Sequence, residues 1–342
     1  MKNVLPTATA DWIVHLDDTG FGCKMVPFDV WPLVHLGATL EELPPGRAIC
    51  PLHYHMLEEE FLYVVDGELT IRELAEGVHR EFSLRQDELI AWLPGTRIAH
   101  QTLNRSGRPA RYLAMSDRQA QEIAVYPDSG KVLLRGVGVG VWTPAGQTPE
   151  PLAAHFAAAR AKTALPVVRL SDDERPAHVV GRGQVPERSL GALGGFGRPL
   201  SRAAGAKSVF INVDRLPPGA RTSDLHAHLG DEEVVFVLEG TPTLRQQQGR
   251  REGRTAVFDA PAEGLQLAPG DAVHWAPGDL KAHQLLNESA SDVRLLVLGT
   301  DLDHDIVLYP ERGQVYSPVL GSVGRLEPTD YLAGEAGPRG PA

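Results

Sequence analysis

The sequence predicts an all-β protein built as two similar units, and three observations carry that reading. Short runs rich in Val, Ile, Leu and aromatic residues alternate with turn residues, and the 35 Gly and 27 Pro among 342 residues suit many strands joined by tight turns. Landmarks of the first half recur in the second. Only short helices can be picked out, which favours an antiparallel all-β architecture. A chain of this length is sufficient for two domains, each with its own core.

The elements follow in order. Gly20-Phe21-Gly22 resembles Gly195-Phe196-Gly197, and Leu43-Pro44-Pro45-Gly46 matches Leu216-Pro217-Pro218-Gly219. His53, His55, Glu60 and Gly67 recur 173 residues later (226 − 53) as His226, His228, Glu233 and Gly240. The runs Glu60 to Val65 and Glu233 to Leu238 are apolar almost throughout, as expected for strands buried on both faces. Trp92, Pro94-Gly95, His100, Asn104 and Tyr126-Pro127 then recur 183 residues later (283 − 100) as Trp275, Pro277-Gly278, His283, Asn287 and Tyr309-Pro310. The added residues fall in the Gly- and Arg-rich stretch from Gln246 to Gly264, expected to be a longer surface hairpin. An Ala-rich stretch from Pro151 to Lys162 reads as a short linker helix. The expected division is residues 1–145, a linker at 146–165, and residues 166–342.

The chemistry lies in the repeated histidines. Side chains two apart on a strand share a face, so His53 and His55 can chelate together, as can His226 and His228. A four-residue connection to the next strand is expected to act as an antiparallel turn that returns Glu60 or Glu233 to the same place. His100 or His283 closes each set from a distant strand. Three imidazoles and a carboxylate leave two positions of an octahedron open on a divalent metal. A closed structural zinc site would more often use thiolates, and neither cysteine belongs to the pattern.

These residues resemble the two motifs of the cupin superfamily, written twice as in a bicupin. Gly46 to Gly67 and Gly219 to Gly240 match the first motif with one extra residue before the first His. Pro94, Gly95, His100 and Asn104, and Gly270, Pro277, Gly278, His283 and Asn287, match the second in looser form, with Gln86-Asp87 in place of Gly270-Asp271. The resemblance implies two tandem double-stranded β-helix (jelly-roll) barrels with a metal in each mouth. It makes His53, His55, Glu60, His100, His226, His228, Glu233 and His283 the expected ligands. Fe or Mn leads, and Ni, Zn, Co or Cu are also compatible. It also implies that Asn104 and Asn287 brace their strands.

Other residues receive plainer readings. His15, His35, His79, His155, His178 and His304 share no spacing and are expected on the surface or in loops. His274 is a candidate for supporting the second site, Trp92 and Trp275 for packing, and Tyr63 and Phe236 for core between sheets. Arg245 to Arg254 reads as a solvated hairpin. No residue presents itself as a catalytic acid or base.

The formal charge of −11 and the lack of a basic cluster argue against nucleic acid. No apolar run approaches the ~18–20 residues of a membrane helix. The opening stretch lacks a signal-type apolar core, and two cysteines do not make a disulfide framework, so the cytoplasm is the expected compartment. The leading functional expectation is a metal-dependent, dioxygenase-like enzyme acting on a small organic substrate, as a monomer or homodimer. The alternatives are a redox-neutral isomerase, epimerase or lyase, and a non-catalytic small-molecule-binding module.

Overall fold

The computed structural model describes residues 2–16, 18–136, 141–142, 167–181, 183–253 and 255–325. The linker at 146–165, its expected helix and His155 lie outside them. The described residues form two antiparallel β barrels, and the fold is all-β as expected. Each barrel has a seven-stranded sheet. In the N-terminal barrel its order is Val179–Gly181, Glu88–Trp92, Glu60–Asp66, Ala110–Asp117, Leu36–Leu43, Lys24–Pro27, Ile13–Val14. In the C-terminal barrel it is Val4–Pro6, Asp271–Trp275, Glu233–Glu239, Val293–Thr300, Val209–Leu216, Phe196–Pro199, Arg188–Ser189.

Each large sheet thus ends on a strand supplied by the other half of the chain. Val4–Pro6 pairs with Asp271–Trp275, and Val179–Gly181 pairs with Glu88–Trp92. Val168–Arg169 likewise runs parallel to Val78–Arg85. A strand edge with unpaired N–H and C=O groups is covered at both places. Such three-residue strands carry no periodicity by which sequence could assign them to either half.

Alternation explains why the central strands are apolar on both faces. Phe61 and Tyr63 join a core shared with Phe28, Ile211, Phe236 and Leu298, so this core lies between the barrels. Leu62 and Val64 point the other way, into the N-terminal barrel with Leu69, Ile71, Trp92 and Tyr112. Val235 and Val237 do the same in the C-terminal barrel. Tyr63 and Phe236 are therefore inter-barrel core, and the rings of Phe28 and Phe236 stack at 6.5 Å.

Polar contacts lock the barrels reciprocally. The Glu59 carboxylate accepts the backbone N–H groups of Lys207 and Ser208, at 2.7 and 3.1 Å. The Glu232 carboxylate, at the equivalent position, accepts those of Val34, His35 and Leu36, at 2.7–3.1 Å. Arg294 adds a bond to Asp87 across the same interface.

Two motif positions have direct structural reasons. Gly67 and Gly240 have φ of +95° and +80°, and a Cβ at Gly240 would lie 2.8 Å from Val293 Cγ2. The Asn104 amide donates to the carbonyls of Leu43 and Arg108 at 2.8 Å, and Asn287 does so to Leu216 and Ser291 at 2.7 Å, bracing the turn after each last histidine. The expected surface hairpin is present as Arg250–Glu252 against Thr255–Val257, with Arg250 paired to Glu252 and Asp259. Cys23 and Cys50 are free thiols. No helix among the described residues is long and apolar enough to cross a membrane.

Candidate metal centres

The eight sequence-selected residues gather into two clusters, one in each barrel. His53 and His100 form an isolated antiparallel bridge, as do His226 and His283, which brings the first and last histidines of each set face to face. Glu60 lies on the barrel-facing side of its strand, in register with Leu62 and Val64, and its Oε2 sits 2.8 Å from His100 Nε2 and 3.3 Å from His55 Nε2. In the second cluster Glu233 Oε2 sits 2.9 Å from His283 Nε2 and 3.9 Å from His228 Nε2.

One part of the expected route is corrected. Tyr54–His55 does not form a hairpin with Glu60–Asp66; it pairs with Ile123–Tyr126, and Ala227–His228 pairs with Val307–Tyr309. The four-residue connection crosses between sheets because a buried acid captures its backbone. Glu122 accepts the N–H groups of Met56, Leu57 and Glu58 at 2.8–3.0 Å. Asp305, 183 residues on, accepts those of Gly230 and Asp231 at 2.7 and 3.2 Å.

The clusters differ in closeness. His226, His228, Glu233 and His283 each offer an atom within 4.8 Å of the others, whereas in the first cluster His53, Glu60 and His100 do so and His55 groups with Glu58 and Glu122. The ring spacings are nonetheless similar, at 5.0 Å for His53–His55 and 4.8 Å for His226–His228.

Most of the Nδ1 atoms are already committed, with that of His55 the exception. His53 Nδ1 lies 3.0 Å from the Pro51 carbonyl and His226 Nδ1 3.0 Å from that of Asp224. His228 Nδ1 lies 2.7 Å from Asp305 Oδ2. Each acceptor fixes the proton on Nδ1 and leaves the Nε2 lone pair for the cluster. His226 Nε2 and His228 Nε2 face each other at 3.0 Å; burial opposes charge on His228 but Asp305 and Glu233 favour it, so a proton can bridge the two nitrogens, and a divalent cation would take that proton's place. The donor set therefore fits a divalent metal in imidazole–carboxylate coordination.

Electrostatics divide the histidines into neutral and charged rings. Burial and the neighbouring imidazoles hold His53 and His226 down to about 3, so both are neutral donors at ordinary pH. Burial opposes charge on Glu233, but His283 and its neighbours outweigh it and bring the carboxyl to about 2. Burial likewise opposes charge on His55, but Glu60 and Glu122 overcome it and push the ring up to about 10.

The sequence singled out Trp92 and Trp275 for packing and His274 for support of the second site, but not the partners each one meets. Trp92 stacks on His100 and Trp275 on His283, both with centroids 3.8 Å apart, so these indoles pack directly against a candidate ligand. His178, expected in a loop or on the surface, instead bonds Glu73 at 2.7 Å, because its strand is exchanged into the first barrel. His15, His35 and His304 are exposed. His274 bonds Glu232 at 2.8 Å and stacks on Trp31, so it supports the interface beside Glu233. Glu122 and Asp305 carry the same offset as the last histidines, and that shared acidity was the available signal. Inside the barrels Glu41 and Asp214 are also buried carboxyl groups, and burial pushes both up to about 7.

Two jelly-roll barrels, each with a three-histidine, one-carboxylate cluster, define a duplicated cupin-type protein. A family model described as "Cupin domain" matches residues 39–116 and 212–299. The chain belongs to the cupin superfamily and is a bicupin. Among curated proteins it is 33% identical over 91 residues to the tetracenomycin polyketide synthase protein TcmJ of Streptomyces glaucescens, a match that spans 27% of this chain and 54% of that protein. Among solved structures it resembles the Lactobacillus farciminis oxalate decarboxylase formate complex (15% identity, TM-score 0.52, covering 88% of this chain and 86% of that one). A Bacillus subtilis oxalate decarboxylase mutant is similar at 16% identity and TM-score 0.55, covering 90% and 78%. A further structure of the Bacillus subtilis enzyme, concerned with its Mn(II) centres, aligns at 18% identity and TM-score 0.53, covering 88% and 78%. At these identities the structural likeness shows the fold.

Proposed function

We propose that this bicupin is a metal-dependent enzyme that holds one Mn(II) or Fe(II) ion in each barrel and carries out oxygen-dependent chemistry on a small organic substrate. The observation that carries the metal assignment is the pair of imidazole nitrogens facing each other at 3.0 Å, both with their other nitrogen already committed. His53, His55, Glu60 and His100 would hold one ion, and His226, His228, Glu233 and His283 the other. A bound Mn or Fe ion would supply Lewis acidity and open adjacent positions for substrate and O2. The Mn(II) centres of the fold relative in Bacillus subtilis support manganese as the first metal to try.

The chain's own residues set the conditions for that chemistry. Asp305 orients His228 through its contact with Nδ1, Glu122 faces His55 more loosely, and Trp92 and Trp275 exclude water from one face of the last histidine of each cluster. Glu60 and Glu233 supply the one anionic donor of each set. The partial likeness to a tetracenomycin polyketide synthase protein supports including polyketide-type compounds among the substrates to try.

The test is elemental analysis of protein purified anaerobically without a metal-affinity column, followed by an O2-uptake screen with aromatic and keto-acid substrates. Near two equivalents of Mn or Fe, with substrate-dependent O2 uptake, is the expected result. Turnover without O2 consumption would replace this reading with redox-neutral isomerase, epimerase or lyase chemistry. No metal after reconstitution would sink the enzyme reading and leave a small-molecule-binding module.

A further inference from the structure

The indoles that stack on the two last histidines are anchored differently. In the N-terminal barrel Trp92 Nε1 donates to Glu73 Oε1 at 2.8 Å. The same carboxylate accepts from Arg80 at 2.8 and 2.9 Å and meets His178 Nε2 at 2.7 Å. That network is complete, and Glu73 is fully buried.

In the C-terminal barrel every partner has changed. Gln246 lies opposite His283 as Glu73 lies opposite His100. Glu263 lies opposite Gln246 where Arg80 lies opposite Glu73. Asn3 takes the place of His178, since its carbonyl accepts the N–H of His274 as that of His178 accepts the N–H of Ala91. The acceptor and both of its partners are therefore gone. Trp275 Nε1, Gln246 Nε2 and Asn3 Oδ1 are all buried without a hydrogen-bond partner among the described residues. Their residues are only 3%, 6% and 5% exposed.

Such atoms are rare, and three in one neighbourhood point to a missing group. Asn3 and Gln246 line a cleft of about 310 Å³ together with Lys2, Gln248, Glu263 and Lys281. That volume is in the range of small-ligand sites. The Gln246 amide donor and the two lysines ask for an anion. Asn3 Oδ1 and the Glu263 carboxylate ask for a donor on the same molecule.

We propose that this cleft on the C-terminal barrel binds a small carboxylate that carries a hydroxyl or amino group next to the carboxyl. Its carboxylate accepts from Gln246 Nε2 and faces Lys2 and Lys281, and its hydroxyl or ammonium group faces Asn3 and Glu263. The site adjoins the second cluster, since Gln246 lies opposite His283, but it uses none of that cluster's four residues and does not depend on which metal they hold.

Glycolate and glycine are the probes, with acetate and acetamide as contrasts, titrated by calorimetry into the metal-loaded full chain. The expected result is one saturable equivalent of glycolate or glycine, weaker binding of acetate and none of acetamide. Gln246→Glu places a charged acceptor against Trp275 and should remove that equivalent or weaken it at least tenfold. Lys281→Ala, at the cleft margin, should weaken it in the same direction without touching the core. His226→Ala with His228→Ala should keep it while losing one metal, which separates the cleft from coordination at the metal. No saturable binding would overturn the proposal and leave bound water, or a turned Gln246 amide, as the partner of the indole. Unchanged binding in both Gln246→Glu and Lys281→Ala, or loss of binding in the double-histidine variant, would overturn it equally.

Discussion

Asp305→Asn isolates what a supporting carboxylate does for a cluster of this kind. The substitution keeps size, and the amide oxygen can still accept the N–H groups of Gly230 and Asp231, now at 2.7 and 3.2 Å. What changes is the edge 2.7 Å from His228 Nδ1, where an NH2 donor would replace a carboxylate oxygen. The ring must then accept at Nδ1 and carry its proton on Nε2, the atom that faces His226 and Glu233. A protonated Nε2 cannot coordinate, so binding has to restore the disfavoured tautomer. Losses of this kind run to about 10–100-fold in metal affinity, or roughly 1.4–2.8 kcal/mol. The mirror change, Glu122→Gln, should cost less, because His55 Nδ1 lies 3.5 Å from Glu122 Oε1, outside good hydrogen-bonding range. Competition for Mn(II) against a chelating indicator resolves the two sites. Second-site affinity unchanged in Asp305→Asn, or an equal loss at both sites in the paired variants, would refute the reasoning.

Four further outcomes are expected. Glu232→Ala leaves three backbone N–H groups and His274 without their acceptor, at about 1–3 kcal/mol for each buried group left unpaired, so urea unfolding should show a loss of several kcal/mol. Burial opposes charge on Glu232, yet its bonds from His274 and the backbone hold its pKa below 4.5; this stabilisation is therefore present above that value and lost as pH falls through the lower folded pKa, which the fluorescence of Trp31 against His274 can follow. Asp214→Asn should act in the opposite sense. Burial and then Glu233 raise Asp214 from 3.8 to about 7, so the folded state holds its proton longer than the unfolded chain and stability declines as pH rises through that window. The neutral amide should flatten this slope and add on the order of 3–4 kcal/mol at pH 8, and an unchanged slope would reject it. Cys50→Ser should leave metal content per chain unchanged by elemental analysis, because Ser223 already makes the same contact to His226 at 3.0 Å that Cys50 makes to His53 at 3.3 Å.

The ligand candidates were legible because their constraint is local and was written twice. Two histidines two apart must share a strand face, and a second copy in the same register makes chance a poor account of the spacing. The buried-on-both-faces strands were legible for a related reason: Phe61 and Tyr63 need one apolar layer and Leu62 and Val64 another, which leaves an unbroken apolar run. The route between the ligands was not. Met56 to Glu59 has the length of a hairpin turn, and only Glu122, more than sixty residues away, explains why its N–H groups turn to another strand. Acids in loops are common, so the one clue was that residues 122 and 305 are acidic at the offset that relates His100 to His283.

The strand exchange was hidden for a different reason. Val4–Pro6 and Val179–Gly181 are too short to show a period, and what fixes them is the edge they cover. That exchange has a chemical consequence, because the residue just before each strand reaches the neighbourhood of a ligand-stacking indole in the other half. His178 completes the network around Glu73, whereas Asn3 at the matching place is too short to do so. The candidate ligands are the same in both copies, yet their surroundings differ through residues that arrive from the opposite barrel. Duplication preserved the donor set, and divergence of the exchanged segments is what distinguishes the two sites.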